Sequence, residues 1–515
     1  MSLSTDEPSA PAVMSHRQVL QAMSGLMMGI FVAILASTVV SNALPRIVSE
    51  LGGSQSSYTW VVTAELLAMT ATVPLWGKLS DLYNKKLLIQ ISLGLFVAGS
   101  LVAGFAPDID VLILSRVVQG IGGGGLTALA QVIMAAIVSP RELGKFSGVF
   151  GAVFAVATVA GPLAGGVLVD TSWLGWRWCF FIGVPFAVAA ILLLQRTLDL
   201  PTLRRKVRVD YLGAFLIMLG VSTLLVWSSL AGSTFAWGSW QTAVLVPAGV
   251  VVLALAVWVE AKVREPVVPL RLFRSRTITL ATAASFFVGV AMFGGTVFLS
   301  QYFQLALGKS PTVAGLMSLP MIFGLLVSST VSGHLISRTG RWKPFLLLGA
   351  VLMVGGLSLL GLLDAHTSIV ELSLFMLVLG AGMGMLNQNL VLVAQNDVPA
   401  RDLGAATSML SFFRSLGGSI GVSVLGSVLA GRVSTLISEG LGPAAATSGG
   451  GKIPDLTRLP APVVTVIREA YGIATSDLFL VSAPLALLVL VAVAFLKHLP
   501  LKTKSGMERL ADEAA

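Results

Sequence analysis

The sequence is divided into apolar runs long enough to cross a bilayer, and that spacing constrains the fold more than any other feature. A hydrocarbon core of roughly 30 Å needs about twenty apolar residues at 1.5 Å each. Fourteen runs reach or approach that length: Val19–Ala43, Thr59–Gly77, Leu87–Phe105, Val111–Ile137, Phe146–Val169, Trp178–Leu194, Tyr211–Ala231, Thr242–Val259, Ile278–Gln304, Thr312–Leu335, Phe345–Leu363, Val370–Ala394, Gly404–Ala430 and Leu478–Phe495. Within lipid only helices and closed barrels satisfy every backbone donor and acceptor, and barrel strands would be shorter and alternating. The runs predict an all-α integral membrane protein with fourteen transmembrane helices. Of 515 residues, 55% are hydrophobic and 11% charged, against about 25% charged in an ordinary soluble domain. There are too few charges to clothe a water-facing surface.

The first run is twenty-five residues long, too long for the apolar region of a secretory signal, and reads as the first spanning helix. The net charge of +9 does not form a basic face; Lys and Arg lie in short loops between apolar runs, which argues against nucleic-acid binding. With the N-terminus inside, the loops and tails on that side carry twenty-four of the thirty-three Lys and Arg residues. The opposite side carries seven, and Arg116 and Arg414 lie within runs. This positive-inside asymmetry places both termini in the cytoplasm. A single cysteine, Cys179, excludes an internal disulfide framework and a thiolate cluster, and four scattered histidines point to no metal site.

One internal repeat is visible. GKLSDLYNKK from Gly77 and GHLISRTGRW from Gly333 correspond at an offset of 256 residues. If helices 9–14 repeat helices 1–6, helices 7 and 8 are an inserted pair. The chain then divides into an N-terminal six-helix bundle (1–195), the inserted pair with its flanks (196–276) and a C-terminal six-helix bundle (277–515) around a central cavity. The exceptional connection is the outer segment 431–477, rich in Gly, Ala and Ser and then in Pro; a flexible loop and a lid over the outer mouth are its two readings.

These motifs resemble the major facilitator superfamily, specifically its fourteen-helix drug:proton antiporter family. Gly77, Leu79, Asp81, Lys85 and Lys86 resemble the G-x-L-x-D-x-x-G-R-K loop signature, with Asn84 in place of the second Gly. SRVVQG, with Arg116 and Gln119, resembles the fourth-helix R-x-x-Q-G motif. AGPLAGG, with Gly161, Pro162, Gly165 and Gly166, resembles the fifth-helix antiporter motif. LGWRWCFFIGVP and QYFQLALGKSPTVAG fit the fifth-to-sixth and ninth-to-tenth turns. One departure matters. The family's first helix carries an Asp in L-D-x-T-V-V-N-x-A-L-P, whereas this chain reads LASTVVSNALP with Ala36 at that place.

Ionisable residues deep in a bilayer are functional candidates, because burying them is costly. Three lie well inside the runs: Glu65, Arg116 and Arg414. Glu65 is about six residues, roughly 9 Å, below the outer end of its helix, and Arg116 and Ala36 lie at similar depth. Glu65 therefore reads as the displaced carboxylate, a proton carrier beside Arg116 with Gln119 one turn away; a static ion pair is the alternative. Asp81 either caps helix 3 or, as the resemblance implies, latches the two halves together with Gly77, Lys85 and Lys86. Arg414 is read as pairing with Asn387, Gln388 or Asn389, with an anionic head as the other option. The Gly161–Pro162 step suits close packing and a bend in helix 5. Thr38, Phe154, Phe286, Phe287, Met292, Gln304, Phe412 and Arg414 are candidates for the cavity wall.

No P-loop is present: GIGGGGL lacks the Lys-Ser/Thr ending and sits in an apolar run. The resemblance implies a multi-pass protein of a bacterial plasma membrane, a monomer without cofactor. It would use the proton gradient to export small apolar or amphiphilic compounds. Export of an endogenous lipid or metabolite on the same fold remains open. A membrane enzyme is disfavoured because no His, Asp or Glu cluster lies near a membrane face, and a scaffold leaves Glu65 and Arg116 unexplained.

Overall fold

The computed structural model describes residues 16–52, 55–171, 174–198, 210–231, 235–263, 266, 268–309, 311–364, 367–441, 460–506 and 508–509. Every apolar run falls on helix. The elements are α1 (His16–Glu50), α2 (Gln55–Leu82), α3 (Lys85–Gly104), α4 (Ile109–Ile137), α5 (Pro140–Asp170), α6 (Trp178–Phe181), α7 (Val184–Thr197), α8 (Tyr211–Leu230) and α9 (Trp240–Glu260). They continue with α10 (Arg276–Gln301), α11 (Pro311–Met317), α12 (Leu319–Thr339), α13 (Lys343–Leu360), α14 (Ile369–Asp397), α15 (Leu403–Leu441) and α16 (Ala461–Ala494). Among the described residues, twelve helices are long and apolar enough to cross a membrane; Ala152–Gly165 in α5 and Leu212–Ser228 in α8 are shorter apolar stretches. Two runs are broken where proline removes a backbone donor: α6 and α7 meet just before Pro185, and α11 and α12 just before Pro320.

The packing repeats itself. In the first bundle α2 and α3 pack on α4, α1 packs on α5, and α7 packs on α1 and α3. In the second, α12 and α13 pack on α14, α10 packs on α15, and α16 packs on α10 and α13. Helix for helix, the second set of pairings follows the order of the first. Helices α8 and α9 form a separate hairpin, in which Gly220 lies against Leu253 and Gly249 against Leu224. Helix α8 touches both bundles, through α2 and α15. The bundles meet chiefly along α2–α15 and α5–α12.

The outer segment 431–477 departs from the loop expected there. Helix α15 runs on to Leu441 and α16 starts at Ala461, leaving 442–459 outside the described residues. Arg432 donates to Asp477 at 2.7 Å, joining the two extensions. The charges Arg432, Arg468, Glu469 and Asp477 end the apolar runs in the sequence, but a helix that has left the lipid carries charge without penalty. At 39 residues α15 is about 58 Å long, far beyond a 30 Å core.

Candidate functional site

A cavity of about 340 Å³ lies between the bundles. The first bundle lines it with Ile30, Ile34, Ser37 and Thr38 (α1), Glu65, Leu66 and Met69 (α2), Phe96 (α3), Gly123, Thr127 and Gln131 (α4), and Phe154 and Thr158 (α5). The second supplies Met292, Phe293 and Thr296 (α10), Leu325 and Ser329 (α12), Gly384, Asn387 and Gln388 (α14), and Ser411, Arg414 and Ser415 (α15). Two lining residues are ionisable: Glu65 in one wall and Arg414 in the other.

Glu65 stands between the cavity and a buried guanidinium. Its carboxylate pairs with Arg116 Nη2, and the arginine side chain is 1% exposed. Arg116 Nη1 donates to Gln119 Oε1 at 2.6 Å and Nε to the Val61 carbonyl at 3.3 Å. Gln119 Nε2 donates in turn to Ser100 Oγ at 2.9 Å, and Phe180 lies 5.9 Å from the guanidinium carbon. The positive charge therefore keeps polar partners on α2 and α4 even when Glu65 is neutral.

The glycine run of α4 makes this pairing possible. A Cβ on Gly120 would strike the Glu65 carbonyl, and one on Gly124 the Met69 carbonyl, so the two glycines, four residues apart, let α2 approach. Gly122 and Gly125 do the same for α3 at Phe96 and Ser92. Gly123, between these faces, opens on the cavity. The string that fails as a phosphate loop is a packing device that serves two neighbours at once.

Asp81 does not cap α3. That role falls to Asn84, whose side chain accepts from the Lys86 and Leu87 amides, and so accounts for Asn at the glycine position of the signature. The Asp81 carboxylate instead crosses to the other bundle and accepts from the Gly404 and Ala405 amides, at 3.0 and 2.9 Å, at the start of α15. The unpaired amides and positive end of a helix suit such a carboxylate. Gly77 and Gly404 bring the backbones together: a Cβ on Gly77 would meet Ser408, and one on Gly404 would meet Ser80 and Asp81. Lys85 opens α3 beside Asp81, while Lys86 Nζ donates to the Gln195 carbonyl within its own bundle. A second contact between halves comes from the last described residues. Arg509 bonds the Gln395 and Val398 carbonyls at the end of α14, and Gly506 packs on Ala135 and Ala136 at the end of α4.

The remaining candidates divide. Thr38, Phe154, Met292 and Arg414 line the cavity. Thr38 also packs against Gly161, and its hydroxyl lies 3.3 Å from the Ala157 carbonyl, fastening α1 to α5. Helix α5 continues through Gly161 and the buried Gly165, and Pro162 and Gly166 also fall within its span. Phe286, Phe287, Gln304 and Phe412 do not reach the cavity. The Phe286 backbone abuts Gly417 in the α10–α15 contact, and its ring packs on Phe287 at 5.3 Å. Phe412 is buried against Phe413, and Gln304 bonds Ser300 on the π-helical turn 302–306 that follows α10. Tight helix packing claims these side chains first. Gln131, Ser411 and Ser415 line the wall without being expected there, and Gln388, expected only as a partner of Arg414, lines it too; their polarity inside apolar runs was the available signal.

Two repeated helical bundles enclosing a cavity define a polytopic transporter architecture. A model of the Major Facilitator Superfamily matches residues 26–210 and 202–422, and the chain belongs to that family. It is similar to an uncharacterized MFS-type transporter of Mycobacterium tuberculosis (strain H37Rv), with 37% identity over 93% of this chain and 69% of that one. The multidrug transporter protein MdtP of Bacillus subtilis (strain 168) is 35% identical over 87% of this chain and 80% of its own length. Multidrug resistance protein 3 of the same organism is 29% identical over 95% and 97%. Among solved structures, the proton:xylose symporter XylE superposes with a TM-score of 0.64 at 14% identity, covering 96% of this chain and 99% of that one. The human organic anion transporter MFSD10 does so at 0.61 and 16%, covering 91% and 99%. At such identities these two speak for the fold alone.

Proposed function

We propose that the chain is a proton-driven antiporter of a bacterial plasma membrane, exporting hydrophobic or amphiphilic compounds by alternating access, with both termini in the cytoplasm. The multidrug transporters among its relatives support the substrate class. The observation that carries the reading is Glu65, a lone cavity carboxylate paired to the buried Arg116 behind it. A proton arriving through the cavity neutralises Glu65 and weakens its hold on Arg116, which Gln119 and Val61 retain. Loss of the proton on the other side restores the pair. Binding and release of one proton thus change the contact between α2 and α4.

Asp81 acts as the latch on the cytoplasmic side: while it holds the start of α15, the two bundles are clasped there.

The test is flux in proteoliposomes loaded with an uncharged fluorescent amphiphile. With the far side made acidic, the wild-type protein is expected to move the probe against its concentration gradient, and a protonophore to abolish that movement. Flux indifferent to the pH gradient refutes proton drive.

A further inference from the structure

Arg414 lies in the second bundle, on the wall opposite Glu65. Its Nη1 donates to the Asn387 side-chain oxygen and, at 3.5 Å, to the Asn387 carbonyl. Both acceptors are neutral. Among the described residues no carboxylate pairs with Arg414, and the one acidic side chain of the cavity is already bound to Arg116. The Glu65–Arg116 pair carries no net charge, so among the described lining residues Arg414 is a positive charge without an ionic partner. Its backbone is fixed as well, because the Arg414 carbonyl packs against Gly289 of α10, where any Cβ would collide.

A guanidinium half-withdrawn from water without a counter-ion is unfavourable, and the protein supplies only the Asn387 oxygens to offset it. Arginine keeps its charge in such surroundings and presents a planar fork suited to an oxyanion. Around it lie neutral hydrogen-bonding groups, Gln131, Gln388, Ser411 and Ser415, while Ile30, Ile34, Phe154, Phe293 and Leu325 give the cavity its apolar surface. We infer that the preferred substrates are anionic amphiphiles, compounds with one carboxylate or sulfonate on an apolar body, whose acid group docks on Arg414. A cation would meet this positive charge and would have to displace Arg116 to reach Glu65. This deepens the proposed function, in that it rests on the cavity being the substrate site, but not on what drives the cycle.

The test is equilibrium binding by the full chain in nanodiscs of neutral lipid, using 1-naphthylacetic acid, 1-naphthylacetamide and 1-naphthylethylammonium as one apolar body with three charges. Binding to empty nanodiscs is subtracted. The expected order is acid, then amide, then ammonium, with the acid bound on the order of tenfold tighter than the amide, the margin of one charge-assisted contact. Arg414→Gln should bring the acid-to-amide ratio close to one, and Arg414→Lys should restore most of it. Because the readout is a ratio within each variant, partial loss of folded protein does not affect it. Tighter binding of the ammonium, or a ratio unaltered by Arg414→Gln, overturns the inference. Loss of proton-driven flux with the ratio intact would refute the antiport reading instead and leave this one standing.

Discussion

Among the described residues two arginines lie well inside the apolar runs, Arg116 buried and Arg414 half-buried, and their surroundings differ. Arg116, in the first bundle, is enclosed by Glu65, Gln119 and the Val61 carbonyl, with no opening of its own to the cavity. Arg414, in the second, faces the cavity and has only Asn387 to hold it. The first charge is balanced by a group that a proton can neutralise; the second has no such group. In the function proposed above the first bundle senses protons and the second binds the ligand, although the two are built on the same helix pairings.

The largest effect should separate the two arginines by stability. Arg116→Leu strands a buried carboxylate and should cost about 3–5 kcal/mol, whereas Arg414→Leu removes a charge with no ionic partner and should leave stability equal or higher. Thermal unfolding of both variants in the same lipid reads the difference. Equal losses would erase the distinction between the sites.

A smaller effect concerns the clasp between the bundles. Asp81→Asn gives up a charged acceptor facing two backbone amides, a loss of about 1.5–3 kcal/mol from the clasped state. That corresponds to about a tenfold or greater shift toward opening on the Asp81 side. Modification of a Ser411→Cys reporter in a Cys179→Ser background should speed up from that side. An unchanged rate would reduce Asp81 to a local contact.

Much of this was legible in the sequence. Long apolar runs read directly as helices because the bilayer leaves few alternatives, and Glu65 with Arg116 stood out because intramembrane charge is rare. The partner of Asp81 was not legible by spacing: Gly404 lies 323 residues away, and only the fold brings that helix start to the end of α2. Nor was the wall of the cavity. Phe286 and Phe154 are the same residue type in similar runs, yet the ring of one packs on its neighbour Phe287 and the other lines the cavity. The glycines of α4 were visible as a string, but their two-sided role requires knowing that α2 and α3 flank that helix. The extensions beyond 431 and before 477 were hidden because hydropathy detects lipid contact, not helix.

In the proposed function the proton on Glu65 drives transport, and Glu65→Gln is the decisive variant, since the amide keeps the side chain's shape and mimics its protonated form. In proteoliposomes with an imposed pH gradient, the variant should lose uphill export of the uncharged probe while still exchanging it downhill, and Glu65→Asp should keep part of the uphill rate. Uphill export by Glu65→Gln at the wild-type rate would contradict the account and place proton coupling on another residue.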